Sequence, residues 1–221
     1  MYNQNSVGGY SVADGVDGRL MGKTLGYLVL LLAIVMVGSV IGVTMGSWGL
    51  WGGFILAIAG TIMVSRRMQS ASKALGWGIL TAIGLGMVIS SVLWYVILYQ
   101  GPMLMTTIGA LLLALLLSAA VVAWVPWDFS KLGPILFIGL VILVISGLLS
   151  FILPSMTGLV MSNVYNIAGI VIFTGYLMVD FSIMRYRGRT FPSDGLAVVL
   201  AVSLLVDIVN LFLFLLRLGR R

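Results

Sequence analysis

Asp180 and Asp207 stand in matching frames, Leu177-Met178-Val179-Asp180 and Leu204-Leu205-Val206-Asp207, each inside a long apolar run. A carboxylate at membrane depth costs roughly 2.5–3.5 kcal/mol on insertion scales, so an acid kept there is read as functional and as having a partner. Each of these two is the best partner for the other. Carboxyls that share one site do not both ionise readily, and they titrate as a unit. At low pH such a pair shares a proton. At higher pH it loses that proton, and then either repels itself or takes up a hard cation. Carboxylate and backbone oxygens suit Ca²⁺, so Asp180 and Asp207 are also the candidate metal ligands. The same chemistry serves a proton-coupled transporter, so the pair does not choose a substrate.

The neighbours are polar. Ser203 and Asn210 fall at i−4 and i+3 from Asp207, on one helix face and within reach of its carboxyl. Tyr176 falls at i−4 from Asp180. Arg66 and Arg67 end the second apolar segment and are the candidate cationic partners. An Arg–Asp180 bond there would tie helix two to helix six and close the cytoplasmic mouth. Residue pattern alone favours the plainer alternative, in which both are positive-inside markers touching lipid phosphates.

Composition sets the environment of these groups. Of 221 residues, 61% are hydrophobic and 8% charged, against about 25% charged in a soluble domain. The chain reads as an all-α integral membrane protein. It has no Cys, no His and no Glu. That excludes disulfides, thiolate chemistry, zinc or haem sites built on His, and His-based pH sensing. Aspartate is left as the agent of any response to protons near neutral pH. No cofactor is expected; Ca²⁺ would be a transported ion. The net charge of +6 sits beside apolar segments, which points to membrane orientation and anionic headgroups and not to nucleic acid.

Residues 1–20 read as a flexible tail, and 21–221 as a single seven-helix transmembrane domain. The apolar run after Arg19 and Lys23 is too long for a signal-peptide core, and no small-residue cleavage site follows it. Thr24 to Ser65 carries no charge over 42 residues, twice the roughly 20 that span a bilayer. A break is expected at Met45 to Gly53, with Gly38, Gly42 and Gly46 as a close-packing stripe. Further helices are expected at 74–98, 103–125, 133–153 and 160–184, with a last one from Ser193-Asp194. The polar turn before helix five holds Asp128 and Lys131 and reads as a solvated loop. Asp14, Asp17 and Asp194 read likewise as loop or capping residues. The basic N-terminus and the loops 66–73 and 185–189 put the N-terminus in the cytoplasm. Arg217, Arg220 and Arg221 then fall outside, unless the last helix is re-entrant. An ideal helix sets Asp207 deeper than Asp180. For the two to meet, helix six must pass Met184, or helix seven must start late or kink.

Helices six and seven carry YNIAGIVIFTGYLMVDFSIMR (Tyr165–Arg185) and AVVLAVSLLVDIVNLFLFLLRLG (Ala197–Gly219). This pair resembles the C-terminal signature of the Bax inhibitor-1 family, also called the transmembrane BAX inhibitor motif family. Arg66-Arg67, Ala74-Leu75-Gly76 and Asp128-Phe129-Ser130 extend the likeness. The resemblance implies a seven-helix bundle with the C-terminal helix central and a pH-sensitive Ca²⁺ leak through the membrane. It implies that Asp180 and Asp207 are a hydrogen-bonded di-aspartyl sensor, and that Arg66 or Arg67 latches onto Asp180. One departure stands out: relatives often carry a glutamate in helix two, where this chain has Ala57 and Gly60. The lack of eukaryote-like tail features points to a prokaryotic plasma membrane.

Two other functions compete: a proton-coupled ion or solute transporter, and a non-conducting regulator of a membrane protease or other membrane protein. Enzymatic chemistry is not expected. The Gly-x-Gly-Asp motif of an intramembrane aspartyl protease is absent, since Leu205-Val206 precede Asp207.

Overall fold

The computed structural model describes residues 18–186 and 194–220. Seven helices in it are long and apolar enough to cross a membrane. They are α1 (Gly18–Met45), α2 (Ser47–Arg66), α3 (Ala71–Tyr99), α4 (Gly101–Trp124), α5 (Gly133–Ile152), α6 (Asn163–Tyr186) and α7 (Asp194–Gly219). A 3-10 turn (Phe129–Leu132) precedes α5, and short turns at Pro154–Met156 and Thr157–Val160 lead into α6. Helix satisfies each backbone group within its own segment, which hydrocarbon requires.

The breaks are shorter than the sequence suggests. Between α1 and α2 only Gly46 leaves the helix, and it is the one described residue with positive φ, at 56°. A left-handed glycine turns the chain in one step, so the expected nine-residue linker is mostly the first turns of α2. Gly46 thus makes the turn and takes no part in the close-packing stripe. Gln100 alone separates α3 from α4, with Pro102 in the first turn of α4, where a missing N–H costs nothing. Residues 18–20 of the expected tail are already helical, and 1–17 lie outside the described residues.

α7 is the centre of the bundle. It packs against α1, α2, α3, α4 and α6, and 67% of its most apolar stretch is buried, against 6% for α5. A helix apolar on every side is stable only where neighbours surround it. Ala197, Ala201, Leu204, Leu205 and Leu211 are completely enclosed. α1 and α2 both lie on α3 through small residues. A Cβ on Gly38 would stand 2.4 Å from the Ile83 carbonyl oxygen, and one on Gly86 2.2 Å from that of Val35. Close backbone approach of this kind replaces hydrophobic driving force between membrane helices.

The helices alternate in direction. One end of the bundle carries Lys23, Arg66, Arg67, Lys73, Lys131 and Arg185, and is called the basic end below; the far end carries Gly46, Gln100 and Gly219-Arg220. At the basic end Lys23 of α1 pairs with Asp194 at the start of α7. Gly195 sits so close to the Met68 carbonyl that no side chain would fit there.

Candidate functional site

Asp180 on α6 and Asp207 on α7 are 4% and 5% exposed, and each carboxyl lies within hydrogen-bonding reach of the other. α6 continues past Met184 to Tyr186 and α7 runs unbroken from Asp194, so Asp180 lies six residues from the end of its helix and Asp207 thirteen from the start of its own. Leu177 and Leu204, three residues before each acid, are fully buried beside them. The matching frames therefore supply matching apolar walls. Ser203 Oγ donates to Asp180 Oδ1 at 3.0 Å. Oδ2 of Asp180 and Oδ2 of Asp207 are fully buried and receive no hydrogen bond. An ionised carboxyl only accepts, and a protonated one donates. A proton on either acid is thus the donor that this arrangement lacks.

The supporting residues depart from expectation. Ser203 serves Asp180 across the interface, not Asp207 on its own helix. Asn210 turns its Nδ2 to the Val206 carbonyl at 2.8 Å, because a helical amide side chain reaches its own i−4 carbonyl first. Tyr176 makes no hydrogen bond to Asp180 among the described residues, and its ring lies against Phe173 with centroids 6.2 Å apart. Arg66 and Arg67 are exposed. The only ion pair among the described residues is Lys23–Asp194, so the structure does not bring either arginine to Asp180. Asp194 is therefore tied to α1 as well as opening α7. No group of three acids gathers among the described residues; a Ca²⁺ at the pair would meet two carboxylates and draw its remaining oxygens from elsewhere.

Sequence reading missed a second polar cluster, at the basic end. Asp128 is not simply solvated. It accepts from the Ser130 backbone N–H at 3.0 Å and from Ser182 Oγ, on α6, at 2.9 Å. Arg185 donates to the Val122 and Val125 carbonyls at the end of α4. Asp128-x-Ser130 is a legible turn signature, but its partner Ser182 is 54 residues away. Burial pushes the Asp128 carboxyl up, yet the bonds from Ser130 and Ser182 and nearby Lys131 outweigh it and hold it below the ordinary carboxylate range. A depressed folded value means the contribution is present above the unfolded pKa of about 3.9 and is lost as pH falls through the folded value. Asp128 therefore stays ionised near neutral pH and does not sense protons there. Replacing Asp128 with Ala should lower stability by about 0.5–2 kcal/mol, the usual worth of a cap. Thermal unfolding in detergent measures this, and an unchanged midpoint would contradict it.

Aromatic rings lie on the far-end side of the acids. Phe173 lies seven residues before Asp180 and Phe214 seven after Asp207. Seven residues is about two turns, so each ring shares its acid's helix face. The two rings stack with centroids 5.8 Å apart, and Tyr165 packs on Phe214 at 5.8 Å. Gly169 makes room: a Cβ there would come within 2.5 Å of the Phe214 ring. The helix-two departure also has a physical reason. A Cβ on Gly60 would stand 2.4 Å from Thr81 Oγ1, and the Ala57 backbone lies hard against Gly84, so a glutamate there would not fit between α2 and α3.

Comparison with known proteins places the chain. The pattern of the family described as inhibitor of apoptosis-promoting Bax1 matches residues 18–220. "BI1-like protein" of Arabidopsis thaliana is 36% identical over 118 residues, covering 51% of this chain and 44% of that protein. "Protein LIFEGUARD 4" of Arabidopsis thaliana is 35% identical over 96 residues, 42% of this chain and 36% of that one. The "Golgi anti-apoptotic protein" of Vaccinia virus (strain Lister) is 36% identical over 91 residues, 41% of this chain and 35% of its own length. The chain thus spans less than half the length of these curated relatives. Seven apolar helices, a central C-terminal helix and a family match over nearly the whole described chain converge: this multi-pass membrane protein belongs to the Bax inhibitor-1 family.

Proposed function

We propose that the chain is a pH-sensitive calcium leak channel whose proton sensor is the Asp180–Asp207 pair. The observation that supports this most is the pair of facing, buried carboxyls whose Oδ2 atoms both lack a donor. Structural acids are ordinarily satisfied in place; these need a proton or a cation to be so. N-terminus and basic end face the cytoplasm in this reading, because nearly all Lys and Arg of the described helices lie there.

The arginines set the sign. A guanidinium pairs with a carboxylate and gains little from a neutral carboxylic acid. At higher pH an ionised Asp180 attracts Arg66 or Arg67, which draws α2 to α6 and shuts the cytoplasmic mouth. At lower pH the acids share a proton, the arginine is released, and the leak rises. In this reading, exposed arginines that are not paired with Asp180 fit the released arrangement. Ca²⁺ influx into dye-loaded proteoliposomes should therefore increase from about pH 8 to about pH 6, by at most about tenfold per pH unit for a one-proton switch. Replacing both Arg66 and Arg67 with Ala should leave the leak high at both. A leak that stays low in that double variant would sink the latch. If wild type and every variant are silent, the channel reading fails, and a regulator that binds another membrane protein takes its place.

Phe173 and Phe214 form the barrier on the far side of the sensor. Phe214→Ala should raise Ca²⁺ flux severalfold at every pH while keeping its pH dependence, because the ring lies beyond the acids and not on them. Equal flux in Phe214→Ala and wild type would show that the rings only pack the core.

A further inference from the structure

Between α3, α4 and the end of α7, at the far end of the bundle, lies a cleft of about 830 Å³. Its polar side is formed by Ser91, Tyr95, Gln100 and Arg220, and Pro102 and Met103 contribute an apolar wall. Arg220 stands over the Tyr95 ring, 5.5 Å from its centroid. Gln100 Nε2 approaches the Tyr95 hydroxyl at 3.4 Å, as a donor, which leaves the phenolic proton available. None of the described acids is at this end: Asp128 and Asp194 are at the basic end, and Asp180 and Asp207 face each other. Arg220 makes no ion pair among the described residues.

These features describe an anion site. A guanidinium offers a planar fork that suits phosphate oxygens, often bidentately. The Tyr95 and Ser91 hydroxyls add two neutral donors beside it. A cation held on an aromatic face keeps its in-plane N–H groups free for a ligand. The apolar wall is the part that a small inorganic ion does not need and an acyl chain does. Location agrees: an arginine at a membrane end otherwise free of charged loops runs against the usual distribution of basic residues, and an anionic headgroup offsets that disadvantage.

We propose that this cleft binds the phosphate of an anionic ligand, with a membrane phospholipid as the source that its apolar wall fits. The site is separate from the aspartate pair and does not depend on the leak reading. The test uses the full chain in an uncharged detergent. Thermal unfolding is followed with added phosphatidylglycerol, with phosphatidylcholine, and with inorganic phosphate. Variants are Arg220→Gln, Tyr95→Phe, and Arg217→Gln, which removes the same charge from outside the cleft.

Phosphatidylglycerol should raise the midpoint by a few degrees in a saturable way, as a ligand of the folded state does. Arg217→Gln should keep that shift, Tyr95→Phe should reduce it, and Arg220→Gln should lose most of it. Mass spectrometry of the intact protein should find bound phospholipid on wild type and less on Arg220→Gln. A comparable Arg220-dependent shift with inorganic phosphate would assign the site to phosphate itself, without the chain. No shift with either phosphate source, or equal losses in Arg217→Gln and Arg220→Gln, would overturn the proposal, the second because charge alone would then account for binding.

Discussion

Asp207→Asn should flatten the pH response and hold Ca²⁺ flux near its pH 8 level, while Asp180→Asn should flatten it at the high level. The two substitutions are chemically alike, so opposite outcomes follow only from their different partners. With Asn at 207, Asp180 faces an amide that can donate to its carboxylate, so the ionised form has a donor without any shared proton. An ionised Asp180 is the form that attracts Arg66 or Arg67. With Asn at 180 no carboxylate remains for the arginine, and α2 stays released. Both substitutions remove proton sensing, because one acid left without its partner no longer shares a proton across the α6–α7 interface. Flux assays on the two proteins at about pH 6 and about pH 8 decide it, conditions that lie on either side of neutral pH. If either variant keeps the wild-type ratio between those conditions, the pair is not the sensor.

Gly86→Leu should destabilise the bundle more than any other single change considered. A Cβ at this position would lie 2.2 Å from the Val35 oxygen, 2.7 Å from the Ser39 nitrogen and 2.9 Å from the Gly38 carbonyl carbon. All three are backbone atoms of α1, so no rotamer change relieves the contact. α1 and α3 must separate, and with them the packing of Leu31 and Val35 in the core. Over-packing a tight core costs typically about 1–3 kcal/mol when side chains can shift; with backbone on both sides the loss should exceed that range. Gly109→Leu is the control. Gly109 is exposed on α4 with open space around it, and leucine is the better helix former. The unfolding midpoint in detergent should fall sharply for Gly86→Leu, or the protein should not accumulate at all, with Gly109→Leu matching or exceeding wild type. Equal midpoints would mean that α1 and α3 are free to move apart.

The architecture was readable because hydrocarbon leaves the backbone few choices. Uncharged runs of known length fix the number of spans, and Gly46, Gln100 and Pro102 fall where the helices do end or begin. Breaks were overestimated at Met45–Gly53 because glycine signals a turn and a close contact alike. Gly46 makes the turn, while Gly49 and Gly53 are packing residues inside α2. The two acids were readable because a charge is rare at that depth. Their partners were not. Spacing along one helix assigned Ser203 and Asn210 to Asp207, but helix rotation directs Ser203 to α6 and Asn210 to its own backbone. The Asp128–Ser182 tether and the Phe173–Phe214 stack join positions far apart in the chain. Nothing periodic in the sequence announces such pairs. The basic loop between α6 and α7 read from residues 185–194 lies largely outside the described residues.

Calcium entry into liposomes holding the wild-type chain, driven only by a calcium gradient, is the most direct test. The flux should run downhill without any proton gradient, and it should be larger at about pH 6 than at about pH 8, the interval over which a shared proton is lost. Calcium movement that appears only against an opposing proton gradient would make the aspartates the coupling site of an exchanger. Liposomes that stay tight to calcium at every pH would contradict the leak outright.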